Sequence, residues 1–164
     1  IEGYPEHGFN YRMTDLQAAV GIRQLEDLDF ILAERRRLAR RYNEAFADVP
    51  GVALPYDPPY AWRTWQSYPL RVVPDAPLDA RELMDALLEE GIRTRPGVMA
   101  IHLEPAYADP GLYLPHTEAV AREVVLLPLF PGLEDAEQDR VIDAVRRLLE
   151  AAPAGAGATR SAGP

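Results

Sequence analysis

Apolar residues first recur at helical spacing from Leu16 onward: Leu16, Ala19, Val20, Leu25, Leu28, Leu32, Ala39, Tyr42 and Phe46. Steps of three, four and seven lay one apolar face along a helix, or along two abutting helices with a break near Gly21–Gln24. Thr14-Asp15-Leu16-Gln17 is a capping box that starts it, and Asp15 adds negative charge at the positive end of the helix dipole. Pro50-Gly51 stops it near Phe46.

The pattern then changes period. Pro55, Pro58 and Pro59 leave room for a short strand only at Val52–Leu54. Trp65–Val73 alternates, with Tyr68, Leu70 and Val72 on one face and Arg71 on the other, and Pro69 points to an edge position. Asp79 caps a helix carrying Leu83, Met84, Leu87 and Leu88, and Gly91 closes it. Ile92–Thr94 reads as a short strand. The stretch 95–115, broken by Pro96, Gly97, Pro105, Pro110 and Gly111, reads as a long functional loop. A helix at Thr117–Glu123, a buried strand at Val124–Leu127 and a final helix from about Glu134 to Ala151 complete the order. This is an α+β pattern: a small sheet covered by helices, with a long helix leading in. Residues 1–13 read as a loop, 14–151 as one domain, and 152–164 as a disordered tail of small residues.

Composition narrows the chemistry. With 26 acidic and 17 basic residues the net charge is −9, which disfavours nucleic acid as a partner. The run Glu34-Arg35-Arg36-Arg37-Leu38-Ala39-Arg40-Arg41 is basic, but Glu26, Asp27, Asp29 and Glu44 on the same helical stretch favour pairing within the helix. No apolar run approaches the roughly 18 residues that span a bilayer, and no signal peptide is visible, so a cytoplasmic location is expected. There is no cysteine, and His7, His102 and His116 are too scattered for a metal site. All 17 basic residues are arginine. Without lysine, the chain has no ε-amine to form a Schiff base. Ile1 in place of methionine is in keeping with a piece of a longer protein.

The segment Gly8-Phe9-Asn10-Tyr11-Arg12-Met13-Thr14-Asp15-Leu16-Gln17-Ala18-Ala19 resembles a signature of the DegT/StrS sugar aminotransferases, fold-type-I enzymes that use pyridoxal phosphate. Further matches follow in family order: Gln24-Leu25, Arg36 to Tyr42, Gly91-Ile92-Arg93-Thr94-Arg95, His102-Leu103-Glu104-Pro105-Ala106-Tyr107 and Leu126-Leu127-Pro128-Leu129. The resemblance covers about residues 7 to 150. It implies the C-terminal small domain of such an enzyme, a homodimer, an amino-acid donor and a keto-sugar or nucleotide-sugar substrate. It further implies that the Gly8–Arg12 loop enters the partner's active site. There Asn10 would bind the cofactor phosphate, and Arg12 that phosphate or the substrate's diphosphate. The other readings are a loop-capping amide for Asn10 and an interfacial ion pair for Arg12. His102 and Tyr107 would border the sugar, although a histidine between Ile101 and Leu103 also suits plain packing. Arg93 and Arg95, on one strand face, would meet either an anionic substrate group or water. The resemblance places the cofactor lysine before Ile1, so the chain alone is expected to be inactive. Two alternatives stand beside this: a fragment of a family sugar dehydratase, or a non-catalytic dimerisation module derived from the family.

Overall fold

The computed structural model describes residues 8–108 and 111–150. The tail assigned to 152–164, and His7, lie outside these residues. The elements are α1 (Asp15–Glu26), α2 (Leu28–Phe46), β1 (Val52–Ala53), β2 (Tyr68–Val72), α3 (Ala80–Glu89), β3 (Arg95–Pro96), a 3₁₀ turn (Ile101–Leu103), α4 (Pro115–Glu123), β4 (Val124–Leu127) and α5 (Asp135–Glu150). The architecture is α+β, as the pattern predicts. None of these helices is long and apolar enough to cross a membrane.

The strands form one antiparallel sheet in the order β1-β2-β4-β3. Tyr68 pairs with Leu127 and Leu70 with Val125, so the buried residues of both strands share a face. Against it pack Tyr42 and Phe46 of α2, Leu83 and Leu87 of α3, and Val141, Val145 and Leu149 of α5. Tyr42 anchors this layer. Its ring lies 5.7 Å from Phe46 and 4.8 Å from Tyr68, and its hydroxyl donates to the Pro128 carbonyl at 2.8 Å. Tyr68 donates to Asn43 at 2.8 Å. Burial raises the pKa of both phenols, so they remain neutral donors.

Local signals explain the element ends. Thr14 with Gln17, and Asp79 with Glu82, form complete capping boxes. Gly91 takes φ 77 after α3, the left-handed conformation that suits glycine at a helix end. The expected break at Gly21–Gln24 falls instead at Asp27, because one interior glycine costs only about 1 kcal/mol and the flanking turns stay bonded. β2 lies inside the sheet rather than at its edge, but β1 pairs only with Arg71 and Val72, so Pro69 meets no neighbour on that side. The strand expected at Ile92–Thr94 forms at Arg95–Pro96. Ile92 is used instead to close α3, its N–H bonding the Leu87 carbonyl at 2.9 Å.

The basic run on α2 pairs mainly across to α5, not within the helix. Arg37 reaches Asp135 at 2.6 Å, Arg41 reaches Asp139 at 2.7 Å, and among the described residues only Arg37–Glu34 at 3.1 Å pairs within α2. Between them the buried Gln138 donates to the Leu38 carbonyl at 2.8 Å and accepts from Arg41 at 3.1 Å.

The apolar stripe outruns this core. Leu38, Ala39, Tyr42 and Phe46 are buried, whereas α1 buries nothing and Leu16 is 82% exposed. Replacing the fully buried Leu70 by alanine is therefore expected to lower the unfolding free energy by about 2–5 kcal/mol, read as a lower urea midpoint at unchanged slope. Leu16→Ala should change it by less than about 0.5 kcal/mol.

Candidate functional site

The loop ahead of α1 is fixed at its inner end. The Thr14 N–H donates to Gln17 Oε1 at 3.0 Å, and Gln17 N–H returns a bond to Thr14 Oγ1 at 3.3 Å. Upstream, the Asn10 Oδ1 accepts from the Arg12 N–H at 3.0 Å, a local turn closed by the amide oxygen. Asn10 therefore does cap its own loop, as one of its two readings held. The same geometry leaves the amide's NH₂, its only donor, without a bond among the described residues. The Arg12 guanidinium is likewise unpaired among them and exposed. Phe9 and Tyr11 flank these groups, rings 6.1 Å apart and both facing solvent.

His102 sits differently. Its 3₁₀ turn points the ring inward, the residue is 4% exposed, and Nε2 lies 3.2 Å from Glu118 Oε1. Nδ1 is buried with no partner. Glu118 also accepts from the Leu114 N–H at 3.2 Å and lies 3.7 Å from Arg122. The His102 contact, then the Leu114 bond, hold its carboxyl below the ordinary carboxylate range. Histidine and glutamate together clamp the loop to the first turn of α4. Tyr107, beyond the turn, is 66% exposed, with its backbone N–H bonded to the Glu104 carbonyl at 2.8 Å.

Gly97 opens this loop under a packing constraint. A Cβ there would stand 2.9 Å from the Val124 Cβ, while its N–H bonds the Val124 carbonyl at 2.8 Å. Arg93, Arg95 and His116 are exposed. An open cleft of about 600 Å³ between β2, α3 and α4, lined by Val73, Asp79, Met84, Pro96 and Glu123 among others, contains none of the predicted site residues.

Tyr107 makes no hydrogen bond or ring contact with His102 among the described residues, so the structure yields two pairs, Asn10 with Arg12 and His102 with Glu118. No hydrogen bond, ion pair or ring contact joins them among the described residues. Sequence reasoning missed Glu118, sixteen positions from its histidine, because no local motif marks that pair. It also missed Trp65, which holds φ 50, a conformation costing on the order of 1–3 kcal/mol for a non-glycine residue.

The family model of the DegT/DnrJ/EryC1/StrS aminotransferases matches residues 3–146. The chain belongs to that family. Among solved structures it resembles DesV of S. venezuelae at 36% identity and a TM-score of 0.81, covering 90% of this chain and 40% of that one. It resembles a DegT/DnrJ/EryC1/StrS aminotransferase of Brucella abortus at 32% identity and a TM-score of 0.75, with the same coverage. PseC of Helicobacter pylori, an aminotransferase of pseudoaminic acid biosynthesis, shares the fold at 19% identity and a TM-score of 0.81. The chain spans about 40% of the length of these relatives. A Streptococcus pneumoniae protein, solved in PMP and PLP forms, shares the fold at 23% identity. Aminotransfer is the activity for which the family is named.

The lowered pKa of Glu118 gives a sign-defined prediction. A carboxyl with a depressed folded pKa stabilises the fold above its ordinary pKa of about 4.5, and that contribution disappears as pH falls through the lowered value. Glu118→Gln should flatten the fall in stability below about pH 4.5 relative to the parent chain. Thermal midpoints taken from pH 6 to pH 3 check this; parallel curves would remove the clamp's role.

Proposed function

We propose that this chain is the C-terminal part of a pyridoxal-phosphate-dependent sugar aminotransferase and forms one wall of an active site shared between two copies. The observation that carries the reading is the exposed arm. Residues 8–13 and α1 present Phe9, Tyr11, Met13, Leu16, Val20 and Leu25 to solvent, beside a polar turn whose side-chain donors, the Asn10 NH₂ and the Arg12 guanidinium, form no bond among the described residues. A contiguous apolar face of this kind marks an interaction surface. Membership of the family supports a second copy, or the rest of the enzyme, as what covers it.

The donor set suits a phosphate. An amide NH₂ donates without adding charge, and an unpaired guanidinium grips two oxygens in a fork. Asn10 would therefore hold the cofactor phosphate of the neighbouring copy, and Arg12 that phosphate or the diphosphate of a nucleotide-linked keto-sugar. The bound cofactor supplies the electron sink, while the protein supplies orientation and electrostatics. Tyr107 offers an exposed ring and hydroxyl to the sugar. His102 works from behind, holding that loop to α4 through Glu118, with Nδ1 in reserve for a sugar hydroxyl when the loop is covered. No side chain here can anchor the cofactor covalently, since there is no lysine. The complete enzyme, a cytoplasmic homodimer on this reading, takes that lysine and its amino-acid donor's site from the portion these residues do not include.

In the complete dimeric enzyme, Asn10→Ala is expected to weaken cofactor retention by about tenfold, the size of one charge-assisted hydrogen bond. Cofactor occupancy after dialysis measures it. Equal occupancy in mutant and parent would remove the cross-subunit phosphate role. The 164-residue chain itself, incubated with pyridoxal phosphate and reduced with borohydride, should carry no pyridoxyl group on any side chain by peptide mass mapping. A stoichiometric internal adduct would show that the missing lysine does not decide the matter.

A further inference from the structure

One carboxylate oxygen closes the loop that carries Tyr107. Glu118 Oε1 accepts from the Leu114 N–H and lies against His102 Nε2, each at 3.2 Å. His102 and Leu114 flank residues 103–113, so this single atom holds both ends of that stretch. Glu118 Oε2 faces Arg122 at 3.7 Å, one turn along α4. The bonds inside the stretch are short-range. The Glu104 N–H meets the Ile101 carbonyl at 3.1 Å, and the Tyr107 N–H meets the Glu104 carbonyl at 2.8 Å. They shape turns and do not tie the loop to the body of the fold. Its approach is fixed separately, by the Gly97 N–H on the Val124 carbonyl of β4.

The chemistry of the pair sets where the ring hydrogen lies. An ionised carboxylate only accepts hydrogen bonds, and the contacts that draw Glu118 below the ordinary carboxylate range, the His102 bond first, keep it ionised. Nε2 must therefore carry a hydrogen, and in the neutral ring Nδ1 carries none. Nδ1, buried with no partner, has nothing to accept a hydrogen of its own. The surroundings strengthen the bond. The His102 side chain is 3% exposed and that of Glu118 16%. Besides the histidines, Glu104 and Asp109 are the only charged residues from Pro96 to Thr117. With little water and few competing charges, a charge-assisted bond is stronger than at an open surface.

We propose that Glu118 is a positioning residue: through His102 Nε2 and the Leu114 N–H it closes the loop 103–113 and so fixes the place of Tyr107 in the wall of the sugar site. That Tyr107 meets the sugar rests on the aminotransferase reading; the closure rests on the bonds themselves. Glutamine is the informative replacement. Its Oε1 still accepts both bonds, while the negative charge and the Arg122 pair are lost. Alanine removes the acceptor altogether. The role asks for an acceptor at this point more than for a charge.

Nuclear magnetic resonance on the nitrogen-15-labelled 164-residue chain tests the closure. In the parent and in Glu118→Gln, His102 should show a hydrogen on Nε2 that exchanges slowly with water; in Glu118→Ala that signal should vanish. The Leu103 and Tyr107 amides should exchange at least about tenfold faster in Glu118→Ala, the size expected for losing one bond to a charged group. In Glu118→Gln they should stay near the parent rates, and the amides of β2 and β4 should do so in both variants. In the complete enzyme, Glu118→Ala should raise KM for the sugar about tenfold with little change in kcat, and Glu118→Gln should keep KM near the parent value. A bare Nε2 in the parent, or loop amides unmoved in Glu118→Ala, overturns the proposal. So does faster exchange throughout β2 and β4, which would make Glu118 a support of the whole fold. An unchanged KM with the loop opened overturns it too, because the wall would then not need the loop. Absence of sugar turnover in the parent enzyme would instead count against the aminotransferase reading and would leave the ring-hydrogen and amide results standing.

Discussion

Helix α2 is held at one end only, and much of the structure follows from that. From Leu38 to Phe46 it lies against the sheet, with Tyr42 stacked between Phe46 and Tyr68 and Gln138 bonded to its backbone. Ahead of Leu38 the apolar side chains continue, but the sheet has run out. Leu28 and Phe30 on α2, and the apolar side chains of α1, face water. Burying such side chains contributes about 1.5–3 kcal/mol each, so a face of this size gains most when another surface covers it. The anchored half of α2 therefore acts as a rigid mount that carries an uncovered arm outward.

The ion pairs from α2 to α5 fit the same picture. They sit on the surface and each contributes little by itself. Their effect is to fix direction: Arg37 and Arg41, one turn apart, meet Asp135 and Asp139, one turn apart on α5. Two helices registered at two successive turns cannot slide along each other without breaking both contacts. Gln138, between them and fully buried, adds a bond that water cannot replace. The core thus fixes the direction of α2, the helix that α1 precedes.

What was legible in the sequence was local. The capping box at Thr14, the N-cap at Asp79, the helix end at Gly91 and the alternation of β2 all involve residues within a few positions of one another, and each lies where the pattern put it. What was not legible depends on partners far along the chain. The arginines of α2 read as intrahelical because their α5 partners lie about a hundred residues away. Pro69 read as an edge residue because nothing local shows that β1 covers only the far end of β2. Burial of His102 depends on Glu118 and on Gly97 meeting Val124, neither of which has a spacing to recognise. The candidate site was legible as residues but not as geometry. The family resemblance picks out Asn10, Arg12, His102 and Tyr107, while only the fold shows that Asn10 and Arg12 keep exposed side-chain donors without a bond, that His102 is enclosed, and that no bond joins the two loops among the described residues.

That separation bears on the role proposed for a chain that has no ε-amine. On the proposed function, a site assembled within this fold would need the Asn10–Arg12 turn and the loop bearing His102 and Tyr107 to converge, and no hydrogen bond, ion pair or ring contact joins them among the described residues. Donors on an arm that no core residue covers are suited to a phosphate held by another body. A loop clamped by a buried histidine–glutamate pair is suited to defining the wall beside a ligand rather than reacting with it. The exposed Arg12 guanidinium follows the same logic: in a chain with an excess of carboxylates, a positive group that meets none of them among the described residues attracts an anion that the chain itself does not carry.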